Sequence, residues 1–89
     1  MIYNIKETSV FLKDLKKQVR DGLDISDLKQ AVEILMETGT LPEEFKTHKL
    51  TRDYSDVYDS HLDDDLILLW KKNRSTITLL RIGTHEDLF

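Results

Sequence analysis

The sequence predicts an α+β domain in which an opening strand is followed by two amphipathic helices packed antiparallel and then by a three-stranded antiparallel meander. Three observations carry that expectation. Apolar residues recur at helical spacing through most of the first forty positions, β-rich runs fill the last third, and the scarce breakers Gly22, Gly39, Pro42 and Gly83 divide the chain into segments. With 89 residues the chain has room for one small core, so residues 1–89 are expected to form a single domain.

From Ile2 to Lys6 apolar and polar positions alternate, as in a short strand. Between Ser9 and Asp21, Phe11, Leu15 and Val19 recur every fourth residue with Leu12 beside them, the stripe of an amphipathic helix. Thr8 or Ser9 is suited to cap its start, and Gly22 is suited to the left-handed conformation that ends it. A second stripe comprises Ile25, Leu28, Val32, Leu35 and Met36, with Asp24 as candidate N-cap and Gly39 just beyond the end. The short connection at Gly22 folds the two helices back on each other.

Thr40 to Thr51 carries Pro42 and no clear period, which predicts a loop with a helical turn at Glu43 to Phe45. Strands are then expected at Tyr54 to Asp59, Leu66 to Lys71 and Thr76 to Ile82, joined by turns at Ser60 to Asp64 and at Lys72-Asn73-Arg74-Ser75. Leu66-Ile67-Leu68-Leu69-Trp70 is too apolar for a sheet edge and belongs at the centre, beneath the helices.

Thirteen basic residues against seventeen acidic ones give a net charge of −4. Such a field repels phosphate at long range, so contact with nucleic acid has to rest on local charge. Lys13, Lys16, Lys17 and Arg20 form one basic cluster, Lys46, Lys49 and Arg52 a second, and Lys71, Lys72 and Arg74 a third, each also readable as a solvated face. The absence of cysteine excludes disulfides, a thiol nucleophile and cysteine-ligated metals, and is the usage of a cytoplasmic protein. The five-residue apolar run is far short of a membrane span, and the opening residues lack the features of a secretory signal.

The chemistry sits in the second half. His48, His61 and His85 all lie there, and a hairpin joining the first two strands of the meander brings His61 opposite Asp65, with His85 leaving the neighbouring strand. Imidazoles titrate near neutrality, so one can accept a proton while another donates one and a carboxylate orients its neighbour. Phosphodiester cleavage by a ribose 2′-OH uses these parts and no metal. A divalent-metal shell of histidines and one aspartate is the competing reading, without a local motif to support it. No serine stands in a nucleophile elbow, and no Gly-rich phosphate loop is present.

Leu41-Pro42 with Phe45-Lys46-Thr47-His48-Lys49-Leu50, Asp59-Ser60-His61, Asp65 through Lys71, and Arg81-Ile82-Gly83-Thr84-His85-Glu86-Asp87-Leu88-Phe89 form an ordered set that resembles the YafQ branch of the RelE/ParE superfamily. The resemblance is at the level of motifs from Leu41 to Phe89, and of element order before that. It implies a RelE-like microbial RNase-type fold and the toxin of a type II toxin–antitoxin pair. It also implies a ribosome-dependent mRNA endoribonuclease needing no cofactor, neutralised by a cognate antitoxin whose complex binds operator DNA. Carried over by position, the active-site candidates are His48, His61, Asp65, His85 and Phe89; the resemblance leaves open which histidine is base and which acid, and the assignment adopted is His48 as base and His85 as acid, with His61 and Asp65 orienting the scissile phosphate or an imidazole. Arg81 meets phosphate or, alternatively, forms a surface ion pair; Phe89 holds the tail or packs on RNA, and Lys46, Lys49 and Arg52 contact RNA. The sequence departs from the family pattern at Leu66, where the pattern has Trp, at Tyr58, commonly Arg, and in its acidic balance. A non-catalytic superfamily member, acting as a topoisomerase inhibitor or antitoxin-bound co-repressor, is the alternative function.

Overall fold

The first helix forms where its cap and its stripe agree. In the computed structural model, which describes residues 2–50 and 57–89, α1 spans Ser9–Arg20. The Thr8 hydroxyl oxygen accepts the Phe11 backbone N–H at 2.9 Å, satisfying a donor that the helix itself leaves unpaired. Phe11 is fully buried while Val19, on the same stripe, remains half exposed. The second helix, α2, spans Ser26–Thr38. Asp24 does act at its start, but from one residue further out than expected: its Oδ1 accepts the Ser26 N–H at 2.9 Å and Ile25 occupies the cap position. Gly39 ends α2 with φ of 74°, and the Tyr3 ring lies 2.6 Å from where a Cβ would stand, so both backbone and space demand glycine. A single 3-10 turn, Glu43–Phe45, follows as expected.

The strands are β1 (Asn4–Glu7), β2 (His48–Lys49), β3 (Val57–Asp63), β4 (Leu66–Lys72) and β5 (Thr76–Gly83), and a short helix, α3 (His85–Leu88), closes the described chain. They form one sheet in the order β1-β5-β4-β3-β2, antiparallel except for β1, which runs parallel to β5. The expected meander β3-β4-β5 is therefore the middle of a five-stranded sheet, with the apolar β4 at its centre. β2 falls in the expected loop and α3 after the last expected strand; a strand of two residues and a helix of four are too short to display a period.

The expected turn at Ser60 to Asp64 is mostly strand: β3 continues to Asp63, its register slips between His61 and Asp63, and the turn shrinks to Asp64-Asp65. Ser60 reads as a turn residue because it is polar, yet it is fully buried and satisfied. Its hydroxyl accepts the Trp70 indole N–H at 2.9 Å and lies 2.7 Å from the Thr47 hydroxyl. The part of the expected Tyr54 to Asp59 strand before Val57 lies outside the described residues.

One face of the sheet carries the core. Phe11, Leu28, Ala31 and Leu35 of the helices pack on Leu62, Leu66, Leu68, Trp70, Ile77, Leu79 and Ile82. Leu66 therefore faces the core, on the side of the sheet opposite Asp59 and His61. Tyr58 is likewise committed, stacked on Trp70 with ring centroids 4.5 Å apart. Beyond Leu79 β1 no longer covers β5, and α1 takes over that edge. The Thr8 hydroxyl donates to the Leu80 carbonyl at 3.0 Å and an Asp14 carboxylate oxygen accepts the Ile82 N–H at 3.3 Å. No helix among the described residues is long and apolar enough to cross a membrane.

Candidate active site

Two cross-strand rows organise the open face. His48, Asp59, Leu69 and Arg81 follow one another across β2, β3, β4 and β5, and one step along lies the row His61, Ile67, Gly83. Strand alternation sends Ser60 and Leu62 into the core and leaves Asp59 and His61 partly exposed on the other side. The His48 and His61 rings meet edge to face with centroids 6.3 Å apart. His48 Nδ1 is 3.6 Å from Asp59 Oδ1, an ion-pair distance but beyond a hydrogen bond. That oxygen is buried and has no hydrogen-bond partner among the described residues.

His85 reaches the same end of the sheet because Gly83 is aligned with Ile67 and His61, and the chain turns into α3 two residues later. Its backbone N–H lies 3.5 Å from Asp65 Oδ1, so Asp65 adjoins His85 across the β3–β4 turn, and the His85 and Phe89 rings lie 5.2 Å apart. A helix of four residues does not stand alone, and α3 is tied at its start. Thr84 Oγ1 accepts the Asp87 N–H and Asp87 Oδ2 accepts the Thr84 N–H, each at 3.2 Å, forming a reciprocal capping box. Gln18 of α1 donates to Asp87 Oδ2 at 3.0 Å and Lys17 approaches Oδ1 at 3.5 Å. Hydrogen bonds from the Thr84 backbone first and from its hydroxyl second, with smaller help from Gln18 and Lys17, hold the Asp87 carboxyl below its ordinary pKa.

Arg81 is in the ion pair that the sequence left open as its alternative. Its Nε and Nη2 meet the two Asp14 oxygens at 2.7 and 3.1 Å, and Asp14 raises the guanidinium further above its ordinary value. Lys46 adopts a left-handed φ of 47° and borders a shallow depression of about 180 Å³ with Glu44, His61, Asp63 and Asp64. Lys49 is exposed opposite Tyr58, and Arg52 lies outside the described residues.

Sequence reasoning thus named four ionisable groups that gather at one sheet end and missed a fifth, Asp59. The expected turn at Ser60 to Asp64 hid it by taking His61 off the strand; with β3 running to Asp63, Asp59 and His61 share a face. A divalent ion would be held by His48, Asp59 and His61, whose donor atoms lie within 4.8 Å of one another on adjacent strands. The expected metal alternative had no such local grouping; β2 supplies it.

The sequence and the fold match those of known proteins. A family model described as a bacterial toxin of type II toxin–antitoxin system, YafQ, matches residues 3–89. The mRNA interferase toxin YafQ of Escherichia coli strain B/BL21-DE3 is 31% identical over 97% of this chain and 95% of that protein. Among solved structures, a chain of the E. coli DinJ–YafQ toxin–antitoxin complex matches with a TM-score of 0.91 at 28% identity, covering 100% of this chain and 99% of that one. A metal-bound toxin from Helicobacter pylori matches with a TM-score of 0.88 at 33% identity over the full length of both chains.

Proposed function

The chain belongs to the YafQ family of bacterial type II toxin–antitoxin toxins and is an mRNA interferase, and from that premise we propose that it cuts ribosome-bound mRNA by metal-independent acid–base catalysis. His48 takes the proton of a ribose 2′-OH, the freed oxygen attacks the adjacent phosphorus, and the bond to the 5′-oxygen breaks as His85 gives that oxygen a proton. The products are a 2′,3′-cyclic phosphate and a 5′-hydroxyl. His61 orients the phosphate beside His48, Asp65 supports the His85 end, and Phe89 packs against a base next to the acid. Arg81 offers charge to the phosphate while Asp14 holds its fork. Lys46, Lys49 and Arg52 track the RNA backbone.

The observation that carries this reading is the cross-strand alignment of His61, Ile67 and Gly83, which brings the His48–His61 pair and the His85–Asp65 pair to one end of the sheet. Replacing His85 with Ala tests it. A general acid contributes roughly 10²–10⁴-fold in rate, so induced expression of the variant should no longer arrest growth, while its melting temperature stays near wild type because α3 buries none of its residues. Unchanged growth arrest would sink the role of His85. Cleavage of a bare RNA oligonucleotide at high protein concentration checks the metal-independent step: it should survive EDTA, and loss restored by one divalent ion would favour the His48, Asp59, His61 metal reading instead.

The partner we propose is a cognate antitoxin, as DinJ is for YafQ in the E. coli complex, with operator DNA bound through the antitoxin. An apolar groove of about 470 Å³ between α1 and α2, floored by Ile5 and Leu79 and flanked by Leu15, Ile25 and Val32, supports a protein partner on the helical side. Mapping mRNA 5′ ends after induction separates this function from a topoisomerase inhibitor or a non-cutting co-repressor, neither of which creates new ends within codons.

A further inference from the structure

We propose that Asp59 is a positioning residue for His48, closing with it a carboxylate–imidazole dyad that holds the base in one tautomer; the inference rests on His48 being the general base. Asp59 and His48 are direct cross-strand partners between β3 and β2, with Asp59 Oδ1 3.6 Å from His48 Nδ1. The Asp59 side chain is only 16% exposed and its Oδ1 is buried without a hydrogen-bond partner among the described residues, whereas the His48 side chain is 68% exposed. A buried carboxylate oxygen left without a donor is costly, so the fold retains a group whose satisfaction has to come from movement or from a ligand.

The movement required is small. A hydrogen bond needs a contraction of about 0.7 Å, and bonds of this kind commonly stand long in free enzymes and tighten around substrate. His48 is the exposed half, on an edge strand of two residues, and Asp59 is the more buried half, in the body of β3. Once Nδ1–H donates to Asp59, Nε2 keeps its lone pair and faces outward, the state in which an imidazole can accept a proton from RNA. His61 also borders Asp59, but it follows two residues along the same strand, while His48 stands directly opposite.

The test uses the full chain and ribosome-bound mRNA, with the variants Asp59→Asn, His48→Gln and the double substitution. Asp59→Asn should lower kcat by about 10²-fold or more with KM within twofold and with an unchanged melting temperature, because a neutral amide no longer fixes the tautomer. In the wild-type protein, ¹⁵N NMR should find His48 protonated at Nδ1 when neutral, and the Asn variant should shift toward the Nε2–H form. The double variant should be no slower than His48→Gln alone, since Asp59 acts through His48.

Full activity of Asp59→Asn beside an inactive His48→Gln would overturn the inference and leave the base in place. Full activity of His48→Gln would remove the base reading itself and the dyad with it. If Asp59→Asn is slow only because it unfolds, the wild-type NMR measurement still decides: an Nε2–H tautomer at His48 would end the proposal.

Discussion

Leu66 is the position where the chemistry of a single side chain can be separated from its packing. It stands where the family pattern has tryptophan, yet it is buried among Leu62, Leu68 and the helix residues above the sheet. Leu66→Trp is therefore expected to overpack the core and cost about 1–3 kcal/mol, with no gain in cleavage. Thermal unfolding and ribosome-dependent cleavage on the same variant check this. Faster cleavage at unchanged stability would instead assign this position a base-stacking role. At this scale the sequence was uneven to read. His48, His61 and His85 stood out by residue type alone. Asp59 was not, because an aspartate within an expected strand end is indistinguishable from any polar flank until β2 brings His48 against it. Arg81 was legible as a charge, while its partner Asp14 was 67 residues away and invisible to local pattern.

Among the elements, α3 is the least self-sufficient and the most informative. Four residues cannot hold a helix through their own hydrogen bonds, so the Thr84–Asp87 box and the bridge to α1 decide where the His85 ring rests. Thr84→Ala removes the hydroxyl that caps the Asp87 N–H. Its expected signature is a large loss of cleavage, tenfold or more, beside a stability cost of only about 1 kcal/mol. Hydrogen exchange at Leu88 and Phe89 should rise in parallel. The Asp87 carboxyl is held below its ordinary value, so its tie to α3 is complete above the unfolded carboxyl range, about pH 4, and is lost as pH falls through the lower folded value. Docking of α3 should thus persist from about pH 5 upward. A chemical-shift titration of Thr84 and Asp87 that moved between pH 5 and 7 would contradict this. The long elements α1, α2, β4 and β5 were legible because each repeats an apolar period several times. The boundary of β3 was not, since Ser60 is polar by composition and buried by partnership.

For the whole molecule the governing tension is a net charge of −4 on a protein proposed to work against ribosomal RNA. Local basic clusters have to supply the attraction. Even there acids intervene, since Lys17 is shared between Asp21 and Asp87. Association with ribosomes is expected to weaken steeply with salt, with a log–log slope set by the few lysines and arginines that reach phosphate. Replacing Lys13 and Lys16 with Ala should make that slope shallower; an unchanged slope would move the contact to another face. The layout of helices over an antiparallel meander was readable from the chain. The parallel pairing of β1 with β5 was not, because it joins residues 4–7 to residues 76–79 and no local signal spans that distance.

The serine beneath the site also gives the protein an optical probe of its own. Trp70 is the sole tryptophan, 2% exposed, stacked on Tyr58 and hydrogen-bonded through its indole to Ser60, which in turn touches Thr47 one residue before His48. Its emission should therefore be blue-shifted in the folded state and sensitive to any displacement of the strand that carries His48. Engagement of RNA or of an antitoxin can thus be followed by intrinsic fluorescence without a label, in real time and on the unaltered chain.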